Sequence, residues 1–283
     1  MSPQASAGVE LRGVGVVTGW GEGVAALPAD AARAADGRGT LAVERPPLAG
    51  ERFRRATREC LLGVTAVQAL LRATGLGRED VTGSDTALVY VTAAGYGASN
   101  RMFIEAATTG SALHFPYTAP SAVPAEVAIE FGFTGAYVIF VGGATTTLEA
   151  LAHAATLLDR RECERALVLA VETFRECEDL HGRGRWLLGR PLVESAACAL
   201  LQRGAGALRV VEDDAVDASL SREIRRRAGE TLACEPLMAL ALGLESGDDR
   251  LYVTGAWRGR RLAFEWTCPA TPRLQPTMNG ART

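Results

Sequence analysis

Lysine is absent from this sequence of 283 residues, and all 30 of its basic residues are arginines. The absence excludes a Schiff-base lysine and the lysine that grips phosphate in a P-loop nucleotide site. Histidine is scarce as well, because only His114, His153 and His181 occur and none of them belongs to a close ligand pair. A zinc site is therefore not expected. We predict no metal and no cofactor.

Cysteine occurs six times but never in a CxxC motif or another close pair. Disulfide frameworks are typical of small secreted chains, so we expect reduced thiols in structural positions. Most of the cysteines have apolar neighbours, where cysteine behaves as a small hydrophobic residue. The six are Cys60, Cys163, Cys177, Cys198, Cys234 and Cys268.

Long hydrophobic runs and a strong net charge are missing too. No apolar run reaches the roughly 18 residues that would cross a bilayer, and the first residues lack the basic and apolar regions of a signal peptide. The formal net charge of −3 gives no reason to expect nucleic acid or an anionic membrane as a partner. We therefore expect a cytoplasmic protein that binds neither.

The chain does contain an alternation of apolar strand patterns and amphipathic helix patterns. Buried strands that alternate with helices predict an α/β layered sheet. The glycines of the first strand form GxGxxxG rather than GxGxxG, so a dinucleotide-binding loop is not expected. The predicted strands are 9–18, 85–93, 137–141 and 166–171, and the predicted helices are 52–74, 121–131 and 145–161.

The last third of the chain is predicted to be more irregular. Its polar stretch 175–191 is a long loop and a candidate binding surface. The final residues 268–283 hold three prolines and few apolar residues, which indicates a disordered tail. The elements predicted between them are paired strands at 192–202 and 207–212, helix within 216–243, and a hairpin of 251–254 with 260–266.

A Gly-Gly elbow follows the apolar strand Tyr137–Val141. In an α/β enzyme, the turn between a buried strand and a helix is where a nucleophile would be displayed. The elbow here reads Gly142-Gly143-Ala144-Thr145-Thr146, with no nucleophile stronger than threonine. The strand itself is too apolar for a half-exposed strand, so we expect it to be buried on both faces or to lie at an interface.

These motifs resemble the β-ketoacyl synthase family of the thiolase superfamily. The helix and turn Ser121–Gly135 and the elbow Val141–Thr146 are similar to the family's nucleophile region, and Gly13–Gly21 is similar to its opening strand. Farther on, Gly229–Leu232 resembles the family's Gly-His-Thr-Leu, and Leu251–Trp266 resembles its last two strands. The resemblance covers most of the chain and implies a layered αβαβα thiolase-like fold.

The resemblance also implies how the chain is divided. Residues 1–266 would form a single thiolase-like domain, with a first half over about 8–203 and a reduced second half over about 205–266. A disordered tail would follow over 267–283. Only a few residues separate Glu212 from Val216, which leaves no room for the part that carries the family's first histidine.

The departures from the family pattern concern its chemistry. The nucleophilic cysteine falls at Gly143, and the second active-site histidine falls at Glu230. A Claisen condensation needs a thiolate to hold the acyl chain and histidines to handle the developing charge. The resemblance therefore implies a chain that does not catalyse condensation alone.

The role that this implies is that of a non-catalytic subunit similar to a chain-length factor. Such a subunit would form a heterodimer with an active β-ketoacyl synthase, work with an acyl carrier protein and shape the acyl-chain tunnel in type II polyketide or fatty-acid-like biosynthesis. The implied interface is the strand Tyr137, Val138, Ile139, Phe140 and Val141. Candidate tunnel residues are Tyr96, Met102, Phe103, Phe115 and Phe133.

Two further functions stay open at this point. One is an enzyme that decarboxylates or hydrolyses acyl or malonyl thioesters, with hydroxyls from Thr145, Thr146 and Thr147 and with Glu230 as a base. The other is a stand-alone homodimeric acyl-binding protein.

Four arginines at a predicted helix start oppose the helix macrodipole, which indicates either a solvated face or a patch that docks the carrier protein. They are Arg52, Arg54, Arg55 and Arg58.

Overall fold

A computed structural model describes residues 5–54, 56–107, 115–174, 189–211 and 217–267. Within those ranges the chain forms ten strands and seven α-helices. The strands are β1 Ala5–Thr18, β2 Gly21–Glu22, β3 Thr40–Leu41, β4 Thr86–Thr92, β5 Tyr137–Val141, β6 Arg165–Glu172, β7 Leu192–Val193, β8 Ser195–Val211, β9 Arg250–Trp257 and β10 Arg260–Thr267. The helices are α1 Ala31–Ala34, α2 Arg58–Thr74, α3 Gly97–Ala107, α4 Ala122–Phe131, α5 Ala144–Asp159, α6 Ser219–Ala228 and α7 Glu235–Ser246.

Eight of the strands form one mixed sheet, in the order β2-β1-β8-β6-β4-β5 with β10 and β9 joined through β8. The neighbouring strands β6, β4 and β5 are parallel, with β5 at the edge of the sheet, and each connection between them passes through a helix. Strand β8 runs antiparallel to both β6 and β1. The α/β class predicted from the alternating pattern is therefore confirmed.

Strand β8 corrects the prediction of two paired strands at 192–202 and 207–212. A short β7 is followed by one long strand, whose two predicted parts both pair with β1. Gly204 and Gly206, which lie between the two predicted strands, are inside β8. Strand β1 is long enough to pair along nearly all of β8, and register shifts between Ala7/Val9 and Leu11/Gly13 absorb the irregularity without a turn.

Helices cover both faces of the sheet. On one face, α2 and α4 bury an apolar cluster that includes Leu61, Val64 and Leu169. Helix α2 ends at Gly75, which takes the left-handed conformation of a C-terminal cap. On the other face, α5 and α7 bury a second cluster around Leu151. The elbow helix α5 is therefore held between the sheet and the last part of the chain.

The reduced second half consists, in the described residues, of α6, a short 3-10 turn, α7 and the predicted hairpin β9–β10. A two-residue turn closes the hairpin, and Arg258 and Gly259 both have positive φ there, at 48° and 79°. Strand β10 pairs with Leu208 and the residues around it in β8, so the hairpin continues the main sheet. This arrangement lays the end of β9 against the start of α5.

Candidate functional site

The elbow lies where β5 ends and α5 begins. The amide of Gly142 donates to the carbonyl of Thr92, 2.9 Å away, and so ties the turn to the end of β4. Gly143 is the N-cap residue of α5, and its carbonyl accepts from the amide of Thr146 at 2.9 Å. Both glycines are buried. The predicted strand-turn-helix elbow is therefore present, but it is closed to solvent.

Trp257 explains why position 143 is a glycine. A Cβ atom added at Gly143 would lie 2.6 Å from Cδ2 of the Trp257 indole, closer than a Cβ atom packs against any neighbour. The position that resembles the family's nucleophile therefore faces an aromatic ring. A side chain could be placed there only if the tryptophan moved.

The hairpin that carries Trp257 is fastened across the start of α5. Gly255 packs so closely that a Cβ added to it would lie 2.8 Å from the backbone of Ala144. On the far side of the turn, Arg260 forms an ion pair with Glu149 of α5 at 2.7 Å. The guanidinium of Arg258 lies 5.6 Å from the centre of the Trp257 ring. These contacts make the seal over the elbow part of the fold.

Replacing Gly143 with cysteine is expected to destabilise the protein without creating a reactive thiol. The added atoms overlap the indole of Trp257, and overpacking of this kind costs about 1–3 kcal/mol. Urea unfolding measures the loss, and the rate of labelling by a thiol reagent measures access. Ala256→Cys, an exposed neighbour in the same hairpin, is the control. A Gly143→Cys protein that keeps wild-type stability and labels as fast as the control would contradict the seal.

The elbow threonines are mostly committed to structure. Thr145 and Thr147 are buried, and the hydroxyl of Thr147 donates to the carbonyl of Ala233 at 2.6 Å. None of these threonines is the N-cap of α5, because the N-cap residue is Gly143, which has no side chain. Only Thr146 is partly exposed.

Glu230 is held as the acid of an ion pair. Its carboxylate accepts from Arg190 at 2.5 Å and from the amide of Leu232 at 3.1 Å. A second ion pair joins Arg225 to Glu235 at 2.8 Å. Burial is the main cause that raises the pKa of Glu235, Arg225 lowers it, and the nearby charge of Glu230 raises it. The position that resembles the family's second histidine is thus part of a structural charge network.

A buried carboxylate that the sequence analysis missed lies beside the elbow. Glu172 is fully buried at the end of β6 and accepts from the amides of Ala93, Ala94 and Ala233 at 2.6, 2.9 and 3.3 Å. Burial raises its pKa to about 8, and these hydrogen bonds offset only part of that cost. The signal for it was a lone acid at the end of the otherwise apolar run ALVLAVE.

Three buried hydroxyls near this carboxylate have no hydrogen-bond partner within the described residues. Ser195 is the cross-strand neighbour of Glu172, Thr173 follows it in the chain, and Thr231 precedes the 3-10 turn that bonds it. In α/β sheets, ligand sites form at the carboxyl ends of parallel strands. This end of the sheet therefore carries several buried polar groups, although the elbow displays no nucleophile.

A second missed carboxylate, Glu194, explains one of the predicted docking arginines. Arg58 donates from Nε and Nη2 to Oε2 of Glu194 at 2.8 and 2.7 Å, and the amides of Val43 and Phe174 also donate to this carboxylate. The side chain of Arg58 is 9% exposed and that of Glu194 is fully buried. The prediction that Arg58 belongs to a docking patch is therefore wrong, because its charge is used inside the protein.

Of the other three docking candidates, the structure describes Arg52 and Arg54. Arg52 forms ion pairs with Glu126 and Glu130 of α4. Arg54 is exposed, with a single pair to Glu51 at 3.1 Å. Arg55 lies outside the described residues. Of the described arginines predicted to share a helix start, Arg52 and Arg54 lie instead on a 3-10 turn and Arg58 lies on α2, so these three do not form one patch.

The described cysteines offer no substitute nucleophile. Cys60, Cys163, Cys198 and Cys234 are free and buried, as expected for structural thiols. Burial raises the pKa of Cys60 to about 12 and raises those of the other three as well. A thiol becomes nucleophilic only as its thiolate. Cys177 and Cys268 lie outside the described residues.

Among the described residues, no group of three or more histidine, cysteine, aspartate and glutamate side chains is arranged to hold a metal ion. No helix in the described ranges is long and apolar enough to span a bilayer.

Comparison with known proteins decides the family. Residues 47–206, more than half of the chain, match the model of the β-ketoacyl synthase N-terminal domain. The chain belongs to the β-ketoacyl synthase family. No curated protein matches its sequence.

Solved structures of this family have the same fold. The ishigamide ketosynthase/chain length factor aligns with a TM-score of 0.69 at 17% identity, over 92% of this chain and 99% of that one. The type II PKS acyl-carrier protein complex with its ketosynthase, AntDE:AntF, gives 0.69 at 12%, over 93% and 100%. The Xenorhabdus doucetiae ketosynthase ApeO with its chain length factor ApeC gives 0.61 at 15%, over 92% and 98%. The predicted thiolase-like fold, with a shortened second half, is confirmed.

In this ketosynthase-family chain, the predicted interface strand β5 is a sheet edge that pairs only with β4 among the described strands. Tyr137 and Val141 at its ends are 59% and 55% exposed, whereas Val138, Ile139 and Phe140 are partly buried. Full burial on both faces is therefore wrong for the isolated chain. The alternative, a strand at an interface, remains a prediction.

The five predicted tunnel residues do not form one group. Met102 and Phe115 are exposed, and the rings of Phe103 and Phe115 lie 5.6 Å apart, so α3 and the 3-10 turn after it share an apolar surface. Tyr96 is half-buried at the start of that helix. Phe133 instead belongs to the hydrophobic core, stacked on Phe131. Any tunnel wall from this chain would therefore be built by α3 and the turn.

Proposed function

We propose that this chain is a non-catalytic, chain-length-factor-like subunit that pairs with an active β-ketoacyl synthase. The observation that carries the proposal is the sealed elbow, where Gly143 has no side chain and Trp257 fills the space in front of it. The ion pair of Glu230 with Arg190 supports the same conclusion, because a carboxylate held in this way is a poor general base. Condensation would then take place on the partner subunit.

The proposed pairing uses the free edge of β5. An exposed apolar edge strand invites the addition of another strand, and natural proteins normally protect such an edge with charges or prolines. β5 carries neither, since its sequence is YVIFV. Ile129 on α4, the helix that precedes β5 in the chain, is also exposed, at 64%. A second ketosynthase-like subunit is the proposed occupant.

The proposed tunnel wall is the apolar surface of α3 and the turn Phe115–Thr118. Ile104 and Phe115 are 68% and 62% exposed, and Met102 is 39% exposed. An exposed apolar patch often marks a binding surface, and the ring contact between Phe103 and Phe115 joins the helix to the turn here. We infer that they contact a growing acyl chain, delivered by an acyl carrier protein, in type II polyketide or fatty-acid-like biosynthesis. Solved relatives that contain a ketosynthase with a chain length factor or a carrier protein support this assignment.

Charge introduced into β5 is expected to abolish the pairing. Co-expression with the ketosynthase encoded beside this chain should yield a complex that copurifies in equal amounts. Val141→Asp places a carboxylate at an exposed position of β5, and Ile139→Asp places one at a partly buried position. Each variant should weaken the complex by at least about tenfold, because an unpaired charge would be buried at the interface. Analytical ultracentrifugation measures the complex.

Two controls make this experiment decisive. Val141→Asp should fold as the wild type does, because Val141 is exposed in the isolated chain. Ala25→Asp adds the same charge at an exposed position near β2, at the opposite edge of the sheet, and should leave pairing unchanged. A chain that runs as a homodimer and binds no neighbouring ketosynthase would overturn the proposal.

A further inference from the structure

A cleft lined with arginine lies on the surface away from the β5 edge. Residues of α1 and of the turn after it line one side of the cleft, and residues of helix α6 line the other. The residues that lead into β7 line it as well. Two depressions of about 340 and 370 Å³ make it up, and they are continuous because both are lined by Ala32 and Arg190. The charged residues that line it are Arg38, Arg190, Arg222, Arg225, Arg226 and Asp30.

The charge that faces the cleft is strongly positive. Asp30 is the one carboxylate among the described lining residues, and it is engaged as the N-cap of α1, where it accepts from the amide of Arg33 at 2.9 Å. The acids that pair with the lining arginines, among them Glu223, Glu230 and Glu235, do not themselves line the cleft. Because Arg190, Arg225 and Arg226 are paired with these acids, the least compensated charges of the lining are those of Arg38 and Arg222.

Three of the arginines have donor capacity left over. Arg38 donates to the carbonyls of Ala34 and Ala35 but to no carboxylate of the described residues. Arg222 is 72% exposed, and the one ion pair recorded for it joins it to Asp217 at 3.6 Å. Nε of Arg190 is buried and has no acceptor within the described part of the chain. An acceptor oxygen on a ligand could pair with this N–H group, which is costly to leave unpaired.

The remaining lining residues suit a compact ligand. They are alanine, glycine and proline, which leave room for a ligand to approach the backbone. A guanidinium group offers two parallel N–H donors that match the oxygens of a phosphate group. We propose that this cleft binds a small molecule carrying one or two phosphate groups. The cleft shares Arg190 with the Glu230 ion pair but involves neither the elbow nor β5, so its anion binding can be tested without reference to the proposed function.

Binding of inorganic pyrophosphate tests the proposal. Isothermal titration of the full chain, at an ionic strength held constant with sodium chloride, should give saturable binding with a Kd below about 1 mM. Arg38→Ala and Arg222→Ala should each weaken it by about fivefold to tenfold, and the double variant by more. Arg12→Ala removes an exposed arginine of β1 outside the cleft and should bind as the wild type does.

Three results would overturn the proposal. The first is the absence of saturable pyrophosphate binding by the wild-type chain. The second is equal weakening by Arg12→Ala, which would mean that the anion responds only to net charge. The third is wild-type affinity in the Arg38→Ala and Arg222→Ala double variant. Circular dichroism spectra that match the wild type would confirm that each variant is folded, since Arg38 and Arg222 lie at the surface.

Discussion

Replacing Arg58 with alanine is expected to lower the free energy of unfolding by about 3–5 kcal/mol. The substitution leaves the carboxylate of Glu194 fully buried without its cation, and an unpaired buried charge is among the most destabilising changes a protein can carry. Glu194 also accepts from the amides of Val43 and Phe174, so the loop after β3 and the end of β6 are expected to loosen with it. Urea unfolding measures the change.

Two further variants isolate this effect. Arg54→Ala removes an arginine whose side chain is 76% exposed and which pairs only with exposed Glu51, so it should cost less than about 1 kcal/mol. The double variant Arg58→Met with Glu194→Gln removes both charges and should recover much of the lost stability. If Arg58→Ala costs no more than Arg54→Ala, the Arg58–Glu194 pair does not hold the site together.

Glu172 is expected to make the protein less stable as the pH rises from about 5 to 8. Its pKa is about 8 in the folded chain, compared with an ordinary value of 4.5, because burial disfavours the charged form. The folded state therefore keeps a proton over this range that the unfolded chain has released. Stability from this proton is complete below pH 4.5 and is lost as the pH approaches 8, at up to about 1.4 kcal/mol per pH unit.

Glu172→Gln tests this assignment directly. Glutamine keeps an oxygen that can accept from the amides of Ala93 and Ala94, and it has no proton to lose. Between pH 5 and 8, the free energy of unfolding of Glu172→Gln should therefore change less than that of the wild type. The difference between the two changes should be a few kcal/mol. Denaturant unfolding at several pH values provides both curves. Identical slopes for the two proteins would show that Glu172 does not titrate as described.

The parts of this structure that the sequence predicted depend on local patterns. The strand patterns around 85–93 and 166–171 and the helix pattern at 121–131 were each visible within about ten residues, and all three elements are present. The hairpin β9–β10 was predicted in the same way, from two apolar runs separated by a Gly-containing turn. Gly142 and Gly143 marked the elbow, because a Gly-Gly pair between a strand pattern and a helix pattern indicates a turn.

The site could not be predicted to the same extent, because its decisive contacts join distant parts of the chain. Trp257 covers Gly143 from the far end of the sequence, and Arg58 meets Glu194 across 136 positions. No local pattern specifies such a partner. Arg52 and Arg58 looked like one basic patch in the sequence, but the first lies on Glu130 of α4 and the second is buried against Glu194.

Thioester turnover by the isolated chain is the measurement that tests the central claim most directly. The claim is that the sealed elbow and the ion-paired Glu230 leave this ketosynthase-family chain without catalytic groups of its own. We expect no turnover of acyl or malonyl thioesters above that of heat-denatured protein, and no change with Glu230→Gln or Thr146→Ala. Turnover by the isolated chain that is abolished by Glu230→Gln would contradict the account.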